Sequence, residues 1–220
     1  MAFCKLLLTV LVLLHNSGLL GNEVRSSIIG AEDAKKESWP WMVHLNMTSH
    51  DSKMVKWGCG GTIVAKQWVL TSAQCVLKKP ITFSKDVAPV ALPDKDDTFG
   101  PSSECWITGW GEVGNVPLKA PETLQQLKIS IISQSTCKER LPQIASNTLC
   151  TNDSKGRGAC KGDYGGPLVC RKGGKLVQVG VMSSGGCGPK DGPGVCTEVA
   201  KYLTFINDYI HRAEKAPAEM

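Results

Sequence analysis

Cysteine constrains this chain more than any other residue. Ten of its 220 residues are Cys. Cys4 falls in an N-terminal stretch where Lys5 precedes the apolar run 6–14, followed by polar His15-Asn16-Ser17. One basic residue, a short apolar core and small residues near Gly18 and Gly21 read as a secretory leader over residues 1–21, too short to span a bilayer. Nine cysteines remain beyond it. That density behind a leader predicts a disulfide framework made in an oxidising compartment, hence a secreted, extracellular protein. Nine is odd, so one thiol stays unpaired or joins another chain.

The rest of the composition narrows the partners. The formal net charge is +5, with acids and bases interspersed and no basic run or basic–aromatic interleaving, which argues against nucleic acid. So mild a charge reads as ordinary solubility before it reads as affinity for sulfated glycans. Beyond the leader no stretch is long and apolar enough for a membrane span. Asn46-Met47-Thr48 and Asn152-Asp153-Ser154 are glycosylation sequons, which places Asn46 and Asn152 at the surface. No His/Cys/Asp cluster has metal-ligand spacing, and no cofactor motif is present, so none of either is expected.

Motifs then carry the reading. Cys160-Lys161-Gly162-Asp163-Tyr164-Gly165-Gly166-Pro167 resembles the nucleophile loop of the chymotrypsin/trypsin-like serine proteases, with Tyr164 where that family has its serine. Ile28-Ile29-Gly30-Ala31 and Trp39-Pro40-Trp41 resemble the family's mature start. Trp57-Gly58-Cys59-Gly60-Gly61-Thr62 and Leu70-Thr71-Ser72-Ala73-Gln74-Cys75 resemble its first hairpin, with Gln74 in place of the histidine. Cys105-Trp106-Ile107-Thr108-Gly109-Trp110-Gly111 and Pro193-Gly194-Val195-Cys196-Thr197 resemble segments of its second half. The resemblance covers about residues 28–211.

It implies an all-β fold, a chymotrypsin-like double β-barrel with a C-terminal helix. The domain reading is a leader (1–21), a pro-segment (22–27) and one trypsin-like domain (28–220). Within that domain, 28–93 hold an incomplete first barrel, and 94–220 the second barrel and closing helix. The first barrel is incomplete because the segment directly after Cys75 already resembles the family's stretch downstream of its catalytic aspartate. Strands and that aspartate, on the order of 40 residues, are missing between. Two hairpin-like runs, 57–64 and 68–75, are expected to pair. In 124–132, alternation puts Leu127, Ile129 and Ile131 on one face. Tyr202, Phe205, Ile206, Tyr209 and Ile210 are spaced as one face of a helix. The resemblance also implies the disulfides Cys59–Cys75, Cys105–Cys170, Cys137–Cys150 and Cys160–Cys187, leaving Cys196 odd. Cys196 is read as a buried thiol or as the link to a disulfide-bonded partner.

The chemistry of that family needs a nucleophile, a base and a carboxylate. The Gln74 amide takes up no proton near neutral pH. The Tyr164 phenol sits at the end of a rigid ring, past the place a serine oxygen would reach. His44, His50 and His211 read as surface histidines. In active members the isoleucine amine freed by cleavage pairs with the aspartate matched by Asp163. Here Ser27 precedes Ile28, and the nearest base is Arg25. Binding apparatus is implied to persist. Gly162 and Tyr164 match the oxyanion-hole amides, Gly158 the uncharged pocket floor, Ser184 a usual tryptophan, and Gly185 and Gly194 the pocket walls. The Tyr164 ring either caps this cleft or points to solvent. The expectation is a protease homologue without proteolytic activity, acting by binding a protein or peptide ligand. The alternatives are an endopeptidase of altered mechanism and a truncated product without a role.

Overall fold

The computed structural model describes residues 28, 30–48, 56–66, 68–72, 83–111, 123–152, 157–160, 162–185 and 192–215. The stretches read as leader and pro-segment, with His50, Gln74, Cys75 and Cys187, lie outside the described residues. In chain order the strands are β1 (Glu32–Asp33), β2 (Met42–Thr48), β3 (Lys56–Ala65), β4 (Trp68–Leu70), β5 (Cys105–Gly109), β6 (Gln125–Ile132), β7 (Thr148–Asn152), β8 (Pro167–Lys172), β9 (Lys175–Ser184) and β10 (Gly194–Glu198). Helix α1 (Gln134–Arg140) precedes β7, a 3-10 turn spans Val199–Tyr202, and α2 (Leu203–Lys215) comes after it.

The second half closes on itself. The order β6-β5-β8-β9-β10-β7 returns to β6, with every neighbour antiparallel, making a six-stranded barrel. β1 pairs with the other end of β6 through Glu32↔Gln126 and Asp33↔Gln125. Sequence alternation sets the inside. Gln125, Leu127, Ile129 and Ile131 of β6 are buried while Lys128 and Ser130 face water. Leu127, Ile129 and Ile131 join Ile107, Leu168, Val179 and Ile28 in one core, where each aliphatic side chain contributes roughly 1.5–3 kcal/mol. The β8–β9 hairpin turns on Gly173-Gly174, both at positive φ (54° and 81°), as a two-residue primed turn requires. Cys105–Cys170 joins facing residues of β5 and β8, and Cys137–Cys150 ties α1 to β7, as expected. Cys59 and Cys160 are disulfide-bonded too; their expected partners lie outside the described residues.

Among the described residues the first half is a separate, smaller sheet. β2, β3 and β4 form a three-stranded antiparallel sheet. Between β4 and β5, residues 83–104 carry only isolated bridges, Ser84↔Val87 and Ala91↔Val177. The sheet leans on the barrel. The Gly60 amide donates to the Tyr164 carbonyl at 3.0 Å, and the Val90 amide to the Ile63 carbonyl at 2.8 Å. The Thr108 hydroxyl donates to the Met42 sulfur at 3.0 Å. Trp39, Val90 and Val169 pack between the two halves.

Two expectations need correction. The closing helix forms, but its buried line is Leu203, Ile206 and Ile210. Tyr202, Phe205 and Tyr209 are exposed, Phe205 by 61%, because the barrel receives the neighbouring stripe. His44 is half-buried rather than on the surface, its ring stacked on Trp110 at 5.3 Å.

Candidate active site

The loop 160–167 joins the end of the disulfide-bonded segment 157–160 to β8. Gly162 and Gly165 take φ of 91° and 86°, the left-handed region that favours glycine. Gly165 is also held by its surroundings. A Cβ there would lie 2.3 Å from the Thr71 hydroxyl and 2.5 Å from the Gly60 carbonyl. The loop and the three-stranded sheet therefore meet backbone to backbone, and on the sheet's side of that junction the Thr71 hydroxyl donates to the Gly60 carbonyl at 2.7 Å. Within the loop, the amides of Asp163, Gly165 and Gly166 donate to the carbonyls of Cys160, Met182 and Asp163.

Asp163 is the fixed point of this turn. It is fully buried. Its two carboxylate oxygens accept the Gly111 amide at 2.8 Å and the Cys160 amide at 2.9 Å. Burial pushes its pKa from the ordinary 3.8 to about 7, against the two amides, which favour the charged form. A Cβ on Gly109 would lie 2.0 Å from an Asp163 oxygen, so Gly109 makes room for the carboxylate. Ile28 is likewise fully buried, within the barrel core. Arg157 lies across the turn after Ile28, its guanidinium donating to the Gly30 carbonyl at 3.2 Å.

Tyr164 stands at the apex, half-buried. Its backbone carbonyl accepts the Gly60 amide, so its main chain is anchored to the three-stranded sheet. Gly158 is buried beside Ala159 and Cys160. Gly185 and Gly194 are brought together. A Cβ on Gly185, itself at φ 75°, would lie 3.6 Å from the Gly194 Cα and 2.5 Å from the Pro193 carbonyl. Ser184 is exposed, in register with Val195, and the neighbouring Ser183 hydroxyl donates to the Val195 carbonyl at 2.9 Å. Gln74 falls outside the described residues. Asn152 is half-buried at the end of β7, and Asn46 of β2 pairs with Gly58. Cys196 is a free, buried thiol, with its pKa pushed up to about 12 by burial. Among the described residues no group of His, Cys, Asp and Glu is arranged to hold a metal ion, and no helix is long and apolar enough to cross a membrane.

Sequence reasoning identified Asp163 but missed what holds it. Gly111 is 52 residues away along the chain; the only signal was the Gly109-Trp110-Gly111 triplet, which reads equally as a turn. The Thr71–Gly60–Gly165 junction was also missed, since it depends on how two sheets dock.

Comparison with known proteins places this geometry. The trypsin family model matches residues 28–80 and 76–206. The two matches meet at 76–80, directly after Cys75. The mouse protein named tryptase is 30% identical over 248 residues, covering 84% of this chain and 89% of that protein. Mouse serine protease 28 is 30% identical over 244 residues, covering 83% and 89%. Both alignments are longer than the 220-residue chain, so each relative holds residues without a counterpart here.

Proposed function

Since the chain belongs to the trypsin family, we propose that it is a secreted member without hydrolytic activity, which acts by binding a protein or peptide. One observation carries this reading: Tyr164 occupies the apex of a turn whose supports are otherwise in place. The buried Asp163, the left-handed Gly162 and Gly165, and the paired Gly185 and Gly194 hold a frame. Peptide hydrolysis in that frame requires a short alcohol beside a proton acceptor. A tyrosine ring carries its oxygen past the reaction centre and fills space that a substrate carbonyl needs. Gln74 supplies no base. The break of the family match after Cys75, and the longer relatives, support loss of the segment that would carry the aspartate. The leader and the disulfides support secretion.

The half-buried Tyr164 ring is proposed to cap the old cleft, so that ligands meet an aromatic surface where a substrate would enter. The test uses the secreted protein, a serine-directed fluorophosphonate and a broad set of peptide esters. Wild type and Tyr164→Ser are both expected to show no labelling and no turnover, the latter because Gln74 still accepts no proton. Turnover by wild type that vanished in Gln74→Ala or Tyr164→Phe would overturn the reading. Peptide inhibitors of trypsin-like enzymes are expected to bind Tyr164→Ser more tightly than wild type; equal affinity would refute the cap.

A further inference from the structure

Where the 94–103 segment, the start of α1 and the start of α2 converge, there is a cleft of about 720 Å³, within the range of small-ligand sites. It shares no residue with the 160–167 turn or with Gly158, Gly185 and Gly194. Its bottom is apolar, lined by Phe99, Leu149 and Leu203. Leu149 belongs to the barrel core and Phe99 packs against that core, while Leu203 belongs to the cluster that seats α2. Its walls are tied to the barrel from several sides. Lys172 of β8 reaches Asp94 at 2.7 Å and Asp97 at 2.5 Å, and the Asp94 amide donates to the Asp97 carboxylate at 2.8 Å. Past Phe99, the Gly100 amide donates to the Ser103 hydroxyl at 3.0 Å. The Gln134 side-chain amide donates to the Thr148 carbonyl, and the Glu198 amide to the Asn147 carbonyl at 2.9 Å. The start of α1 and the end of β10 are thereby held to β7 and the residue before it.

The rim of this cleft is polar and uncommitted. The side chains of Lys95, Asp96, Thr98, Ser146 and Thr204 line it, are exposed, and make no hydrogen bond or ion pair with another described residue. Charge does not select an ion here. With Asp97 held by Lys172, the charges that remain are Asp96 and Glu198 against Lys95 and Lys201. A bound anion or cation would meet as much repulsion as attraction. Three hydroxyls, a carboxylate and an ammonium group offer both donors and acceptors. They suit a neutral molecule whose own groups both donate and accept. The apolar bottom requires that one face of the molecule be nonpolar. A sugar ring meets both conditions, with hydroxyls around its edge and C–H groups on its face, which pack against an aromatic ring.

We propose that this cleft binds a neutral saccharide unit, with the C–H face of the ring on Phe99 and its hydroxyls on Asp96, Thr98, Ser146 and Thr204. The unit is either free or the outer sugar of a glycan on another protein, since both present the same ring. The site stands apart from the 160–167 turn and is independent of any activity there.

The test uses the full chain from a secretory host and titrates it with the neutral disaccharides maltose, lactose, cellobiose and mannobiose, read by saturation-transfer NMR. Wild type is expected to bind at least one of them. Thr204→Trp, which fills the cleft from an exposed helix position, is expected to abolish that binding with an unchanged melting temperature. Asp96→Ala is expected to weaken it at least about tenfold, the loss of one hydrogen bond to a charged group, and it serves if Thr204→Trp is not secreted. A column of immobilised high-mannose glycoprotein, used before and after enzymatic release of its glycans, separates the two sources. Capture that is lost on release marks a protein-borne glycan, and disaccharide binding without capture marks a free sugar. No peptide ligand enters the experiment, so its failure leaves the reading of the 160–167 turn as it stands. Absence of binding by every disaccharide, or binding by Thr204→Trp or Asp96→Ala equal to that of wild type, would overturn the proposal.

Discussion

Asp163 shows how one buried group can make stability depend on pH. Its folded pKa, raised by burial to about 7, lies above the ordinary value that it regains on unfolding. Between the two values the folded chain holds a proton that the unfolded chain has released. The stability due to this group is therefore complete below about pH 4, falls as pH rises towards 7 and levels off above it. From pH 5 to pH 8 the loss amounts to about 3 kcal/mol. Urea unfolding of wild type and Asp163→Asn at those two pH values checks this: the difference should be large in wild type and nearly absent in the variant, whatever the variant's own stability. A wild-type difference no larger than the variant's would refute it. The identity of Asp163 was legible in the sequence, through the Gly-Asp-x-Gly-Gly-Pro pattern. Its charge balance was not, because the amides of Gly111 and Cys160 reach it only after β5 and the loop have docked.

At the scale of elements, alternation was a sound guide where one face is dry. β6 keeps its predicted inward set of Leu127, Ile129 and Ile131. Helix α1 escaped notice because its seven residues bury only Cys137. Its start is set by Ser133, whose hydroxyl accepts the Thr136 amide, rather than by an apolar stripe. In α2 two apolar lines run side by side, and the sequence does not say which one docks. Val181, Val199, Leu70 and Leu92 pack the Leu203, Ile206, Ile210 line and leave Phe205 and Tyr209 touching each other outside, ring centroids 4.8 Å apart. Ile206→Ala should therefore cost about 2–4 kcal/mol, and Phe205→Ala under about 1 kcal/mol, by chemical denaturation. Equal costs would mean that the helix seats on its aromatic line instead.

Among the described residues the molecule is a closed barrel joined to a three-stranded sheet. Closure leaves the barrel no edge, whereas the sheet depends on the barrel and the 83–92 segment for its packing. Cys196, on β10 with its thiol buried and its pKa pushed up to about 12, reports on the barrel's integrity. Iodoacetamide should leave it unmodified in the native protein and alkylate it only at the rate of barrel unfolding; rapid native labelling would show the barrel open or Cys196 exposed. By itself the sequence determined the family and the strands with a dry face, and through the family resemblance it implied the disulfides Cys105–Cys170 and Cys137–Cys150. These are properties of residue type and spacing, which motif and period record directly. Only the tertiary structure decided which face of α2 is buried and how the Asp163 carboxylate meets the Gly111 and Cys160 amides. Each of those depends on surfaces meeting across long stretches of chain, and no local pattern encodes which surface will be met.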